Sequence, residues 1–121
     1  MLALIGGTGL NTLEGIGGFD LLHKEEIATP FADTQIQLSR YVYAGTELLF
    51  IPRHGDGHVV PPHRINYRGN IDALRLAGAT RVVAMNAIGG IAHELCPGAI
   101  AIPEQLIDYS YGRISSFYED N

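Results

Sequence analysis

The chain has 121 residues, enough for one hydrophobic core and too few for two ordinary domains. Thirteen acidic against eight basic residues leave a net charge of −5, without the basic stripe of a nucleic-acid binder. Mean hydropathy is +0.10, yet no apolar run approaches the ~18 residues that cross a bilayer, and the N-terminus lacks the basic start of a signal peptide. The single cysteine, Cys96, excludes an internal disulfide and a cysteine-built zinc site. A cytoplasmic protein without membrane or nucleic-acid partners is expected.

Leu2 to Ile5 reads as a buried strand that stops at Gly6-Gly7. Residues 11–20, with Gly15, Gly17 and Gly18, read as loop or a frayed helix start. Residues 34–43 alternate enough for a half-buried strand, and Ala44-Gly45 turns the chain into the apolar run Leu48 to Ile51, so the two form a hairpin. Three prolines, two glycines and three histidines make residues 52–63 a loop. Asn66 to Ala77 reads as a helix with Ile71 and Leu74 on its apolar face, Ala73 and Ala77 as a flanking row, and Gly78 at the position after the cap. Arg81 to Met85 is a β-branched strand, and Ala99 to Ile102 is a fourth apolar run. Residues 109–121 are polar and aromatic and end without a cap. Uninterrupted strands around a helix predict an α/β sheet buried on both faces.

Ligands of such sheets collect beyond the carboxyl ends of the strands. Three strand ends carry candidate groups. Gly6-Gly7-Thr8-Gly9 offers uncovered backbone N–H groups and a hydroxyl, an anion nest or simply a tight turn. Arg53 and His54 follow the second strand of the hairpin and join a planar donor fork suited to an oxyanion with an imidazole. Asn86-Ala87-Ile88-Gly89-Gly90 places an amide and then small residues, either a close approach for substrate or a strand-to-helix turn. His54, His58 and His63 lie in a proline-broken loop with no metal-binding spacing, so no metal is expected. Cys96, before Pro97-Gly98, reads as a turn residue rather than a nucleophile.

In this order the segments resemble the purine nucleoside phosphorylase and methylthioadenosine phosphorylase family. The likeness rests on Ile5-Gly6-Gly7-Thr8-Gly9-Leu10, Thr29-Pro30-Phe31, Pro52-Arg53-His54-Gly55, Pro62 to Asn70, Asn86 to Gly90, Leu106-Ile107-Asp108 and Ser116-Phe117-Tyr118. Asn-Ala-Ile-Gly-Gly together with Leu-Ile-Asp-Tyr is most similar to the bacterial methylthioinosine branch. Ala32 stands where the family has glycine after Thr-Pro-Phe.

The resemblance implies a mixed, mainly parallel central sheet flanked by helices. It implies phosphorolysis of a purine nucleoside, with inorganic phosphate as co-substrate, no cofactor and no catalytic side chain in this stretch. Thr8, Arg53, His54, Asn86 and Ala87 would bind phosphate, and Ile88 and Gly89 would lie beside the nucleoside. The family's second phosphate-binding Thr or Ser, its ribose-facing Met and its base-reading Asp or Asn find no match here. Residues 1–121 therefore resemble the N-terminal half of a single phosphorylase domain. Preference among methylthioinosine, methylthioadenosine, inosine and guanosine stays open, as does a non-catalytic phosphate-binding role. The family implies a homo-oligomer, often a trimer. The aromatic residues of 109–118 would supply a subunit contact or cap their own core.

Overall fold

A computed structural model describes residues 1–118, and the side chain of His58 and the last residues of the aromatic segment lie outside that description. Five strands and one α-helix follow in chain order: β1 (Leu2–Gly6), β2 (Phe19–Ile27), β3 (Ile36–Tyr43), β4 (Thr46–Pro52), α1 (Tyr67–Leu76) and β5 (Arg81–Ala84). Short 3-10 turns at Asp56–His58 and Pro62–Arg64 break the loop between β4 and α1. The strands form one sheet in the order β2-β3-β4-β1-β5. β1 pairs in parallel with β4 and β5, whereas β2, β3 and β4 run antiparallel in succession. The sheet is thus mixed, with a parallel half that carries the candidate loops.

The central strand β4 explains how so short a chain builds a core. Its alternation sends Leu49 and Ile51 to one face, where they join Ala3, Leu38 and Leu74 of α1. Leu48 and Phe50 point to the other face and meet Tyr41 and Leu13, with Leu4, Leu10 and Phe19 packed around them. The glycine-rich segment before β2 therefore acts as a lid on the second core. Thr12 and Tyr41 close it with a hydrogen bond between their hydroxyls, 3.2 Å.

Helix α1 has both of its ends satisfied. The Asn66 side-chain oxygen accepts from the Gly69 N–H at 2.8 Å. At the other end Gly78, φ +95°, lets its own N–H reach Arg75 O and the Ala79 N–H reach Leu74 O, which closes a Schellman motif. The expected face is buried apart from Ile71, and Ala77 packs against the core. Ala73 and Leu74 pack inward together with Asn70 and Asp72, and Ile71 turns out to solvent. Asp72 tolerates burial because the Thr29 hydroxyl donates to it at 2.6 Å and Arg75 grips its other oxygen.

Three further expectations need correction. β2 is a nine-residue strand where the sequence suggested loop at its start and no element beyond. Its run of His23, Lys24, Glu25 and Glu26 hides the period because it forms an exposed sheet edge. Ala99 to Ile102 forms no strand; Ile100 and Ile102 are 92% and 94% exposed, with no ladder to enter. Nor is the sheet buried on both faces throughout, since every residue of β5 is exposed. The aromatic segment caps its own chain in part: Phe117 packs edge-on against Phe31, and Arg68 donates to the Ser116 carbonyl.

Candidate functional site

Because β1, β4 and β5 are parallel, their carboxyl ends share one rim of the sheet. Three loops leave from there, after Gly6, Pro52 and Ala84. The backbone stitches them together: Arg53 N–H donates to Gly6 O at 3.0 Å, and Met85 N–H donates to Ile5 O at 2.9 Å. Gly7 lies at the junction. A Cβ placed on it would stand 2.5 Å from the Met85 carbonyl oxygen and 2.7 Å from the Arg53 Nη2. Only a residue without a side chain lets the guanidinium and the β5 exit approach so closely.

Arg53 is partly buried, and its guanidinium is held from one side. Its Nε–H donates to the Nε2 of His54 at 3.2 Å. His54, 4% exposed, hydrogen-bonds through Nδ1 to the Val60 carbonyl at 2.9 Å, and Val60 N–H returns to the His54 carbonyl at 2.8 Å. The ion pairs among the described residues engage Lys24, Arg40 and Arg75, and none involves Arg53. A guanidinium fork oriented in this way has the planar donor geometry that matches an oxyanion.

Thr8 is exposed immediately after Gly7, and Asn86 is exposed immediately after Met85, so both flank the junction. Ala87, Ile88 and Gly89 continue into an exposed segment away from any strand. The structure therefore brings the Gly7, Arg53 and Met85 positions together, ties His54 to Arg53, and leaves Ile88 and Gly89 on an open surface. His63 is exposed, and among the described residues no three His, Cys, Asp or Glu side chains gather as a metal site.

Sequence reasoning missed the Val60 carbonyl that holds His54, since a backbone acceptor leaves no side-chain signal. It also missed a cleft of about 460 Å³ beside Arg53, between α1 and the start of β3, to which Arg64, Asn66 and Asn70 contribute. Polar residues at helical spacing before and within α1 were the available hint.

A mixed α/β sheet with glycine, arginine and amide loops gathered at the carboxyl rim of its parallel strands has the architecture of an α/β enzyme domain, with its loops where such sheets bind ligands. The Phosphorylase superfamily profile matches residues 2–121, and the chain belongs to that family. It is 44% identical over 119 residues to a probable S-methyl-5'-thioinosine phosphorylase from Xanthomonas campestris pv. campestris, a match spanning 98% of this chain and 46% of the relative. It is 40% identical over 118 residues to the S-methyl-5'-thioadenosine phosphorylase of Rhodospirillum rubrum, covering 98% of this chain and 39% of that one. Among solved structures, a single-substitution variant of the adenosine/methylthioadenosine phosphorylase from Schistosoma mansoni, in complex with adenine, superimposes with a TM-score of 0.85. It shares 32% identity over 99% of this chain and 41% of that chain. The chain spans about half the length of the curated relatives it matches.

Proposed function

We propose that this chain supplies the phosphate-holding part of an enzyme that cleaves a purine 5'-methylthionucleoside with inorganic phosphate. S-methyl-5'-thioinosine is the first substrate to test and S-methyl-5'-thioadenosine the second, since the similar proteins carry those two activities in their names. Phosphate attacks the anomeric carbon as the bond to the base stretches, and methylthioribose 1-phosphate and the free purine leave. The work of this part is to hold the nucleophile close and oriented, with no cofactor. Arg53 takes the phosphate, assisted by the Thr8 loop and the Asn86-Ala87 exit, and His54 accompanies Arg53. Ile88 and Gly89 would border the nucleoside. A cytoplasmic homo-oligomer completes the reading.

The observation that carries it is the Arg53 guanidinium, fixed by His54, lying against Gly7 beside the β5 exit, with no acid among the described residues in an ion pair with it. Calorimetry with inorganic phosphate tests it. The chain should bind phosphate, and Arg53→Ala should weaken binding at least about tenfold, the loss of one charge-assisted contact of ~1.5–3 kcal/mol. Hypoxanthine release from S-methyl-5'-thioinosine, measured with the chain joined to the remainder of a phosphorylase domain, should need phosphate. Equal phosphate affinity in Arg53→Ala would count against the site. Binding without turnover would leave a non-catalytic phosphate module.

A further inference from the structure

Buried polar side chains are almost always hydrogen-bonded. Thr29 and Asp72 satisfy each other, and His54 bonds to Val60. Asn70 does not follow them. It is 9% exposed, in the first half of α1, and its side-chain amide makes no hydrogen bond among the described residues. No described side-chain nitrogen or oxygen is both sealed from solvent and without a partner. The Asn70 amide therefore opens on the cleft of about 460 Å³ beside Arg53, whose wall it helps to form.

The rest of that lining is mixed. Ile51 is buried, and Ile36 and Val60 are half-buried, which gives the cleft apolar walls. Arg53 is half-buried and Arg64 exposed, and neither is in an ion pair among the described residues. The exposed Asp33 and Asp56 balance the two cations. Apolar walls with a few convergent polar groups are the ordinary form of a small-molecule site.

We propose that this cleft is a second ligand site, separate from the phosphate corner, for a small monocarboxylate with a short apolar tail. The Asn70 amide N–H and the Arg64 guanidinium take the carboxylate, a planar acceptor matched to planar donors. The tail lies on Ile36, Ile51 and Val60. A monoanion suits this lining better than a phosphate dianion. Asp33 and Asp56 leave the lining without net charge, and their repulsion grows in proportion to the charge of the ligand. Arg53 stands between the two sites, its Nε bonded to His54 and its Nη2 close to Gly7. Anions on both sides of one guanidinium weaken each other, and the effect is reciprocal. That coupling rests on the phosphate-holding role proposed above; the cleft site itself does not.

The test titrates the ¹⁵N-labelled chain with sodium butyrate, with sodium chloride of equal ionic strength as control. Saturable shifts should appear at the Asn70 side-chain amide and the Val60 backbone amide. Asn70→Leu should weaken butyrate binding at least about tenfold, and Arg64→Gln, at an exposed position that leaves the fold intact, at least about threefold. Saturating inorganic phosphate should raise the butyrate Kd by no more than about tenfold, the size of an ordinary coupling between sites. Shifts that match the chloride control overturn the proposal. So does an unchanged Kd in Arg64→Gln, whether or not Asn70→Leu folds. Complete exclusion of butyrate by phosphate also overturns it, because the two would then share the Arg53 corner. Phosphate that fails to bind while the butyrate shifts persist counts against the phosphate-holding role and leaves the cleft site standing.

Discussion

The Nε–H of Arg53 points at the Nε2 of His54, its neighbour in sequence, across 3.2 Å. On the far side of the ring the Val60 carbonyl can only accept, so Nδ1 carries the hydrogen and Nε2 presents its lone pair to the arginine. The imidazole is a strut between a loop backbone and a guanidinium. Asparagine at 54 can keep the bond to Val60 and lose the one to Arg53. We expect His54→Asn to fold with near-native stability while phosphate affinity falls several-fold. His54→Ala should lose both, with a stability cost of about 1–3 kcal/mol for the orphaned carbonyl. Urea denaturation beside phosphate calorimetry checks this; equal phosphate affinity in both variants and the parent would refute the strut.

Gly7 and Gly9 make a controlled pair. A methyl on Gly7 collides with the Met85 carbonyl and the Arg53 guanidinium, so Gly7→Ala must push the β5 exit or Arg53 away. Gly9 has φ +86°, and a Cβ built on it would meet nothing within 4 Å. Gly9→Ala should therefore cost only the ~1–2 kcal/mol of a left-handed residue. The expected outcome is phosphate binding weakened about tenfold by Gly7→Ala and less than that by Gly9→Ala. The reverse order would show that Gly7 serves only the turn.

What the sequence made legible was local. β1, the β3–β4 hairpin and α1 announce themselves through apolar runs, a turn at Ala44-Gly45 and a glycine at 78, each a signal carried within a few residues. The three candidate loops were visible for the same reason, since each follows such a run. β2 was not legible, because an edge strand facing water keeps its charges and loses the apolar alternation. The outward turn of Ile71 was hidden too. It depends on Thr29, far away in sequence, supplying the hydrogen bond that lets Asp72 go inward. Ala99 to Ile102 shows the opposite failure: strand propensity without a neighbour makes no strand.

Asn66 performs two tasks at the start of α1. Its oxygen caps the helix at Gly69, and its Nδ2 donates to the Phe31 carbonyl at 2.7 Å, tying the Thr29-Pro30-Phe31 turn to the helix. Asn66→Asp keeps the cap and loses the donor to Phe31, whereas Asn66→Ala loses both. Thermal unfolding should rank parent above Asn66→Asp above Asn66→Ala, with the alanine variant down by about 1–3 kcal/mol. An aspartate variant as stable as the parent would show that the Phe31 tie contributes nothing.

The Thr29–Asp72 hydrogen bond gives the fold an acid limit. The Thr29 hydroxyl, aided by Arg75, holds the Asp72 carboxyl below its ordinary value against a burial cost that pushes the other way. A carboxylate with a depressed value in the folded state stabilises fully above the ordinary range near ~4 and loses that contribution as pH falls through the depressed value. Thr29→Val removes the donor and leaves the buried carboxylate with Arg75 alone, itself largely exposed. The variant should lose about 1–3 kcal/mol at neutral pH, and the gap to the parent should narrow as acid protonates Asp72 in both. Its acid unfolding midpoint should lie at higher pH than the parent's. Urea titrations at neutral pH and at successively lower pH measure this directly. A gap that stays constant or widens toward low pH would mean that the threonine stabilises by packing rather than by holding the charge.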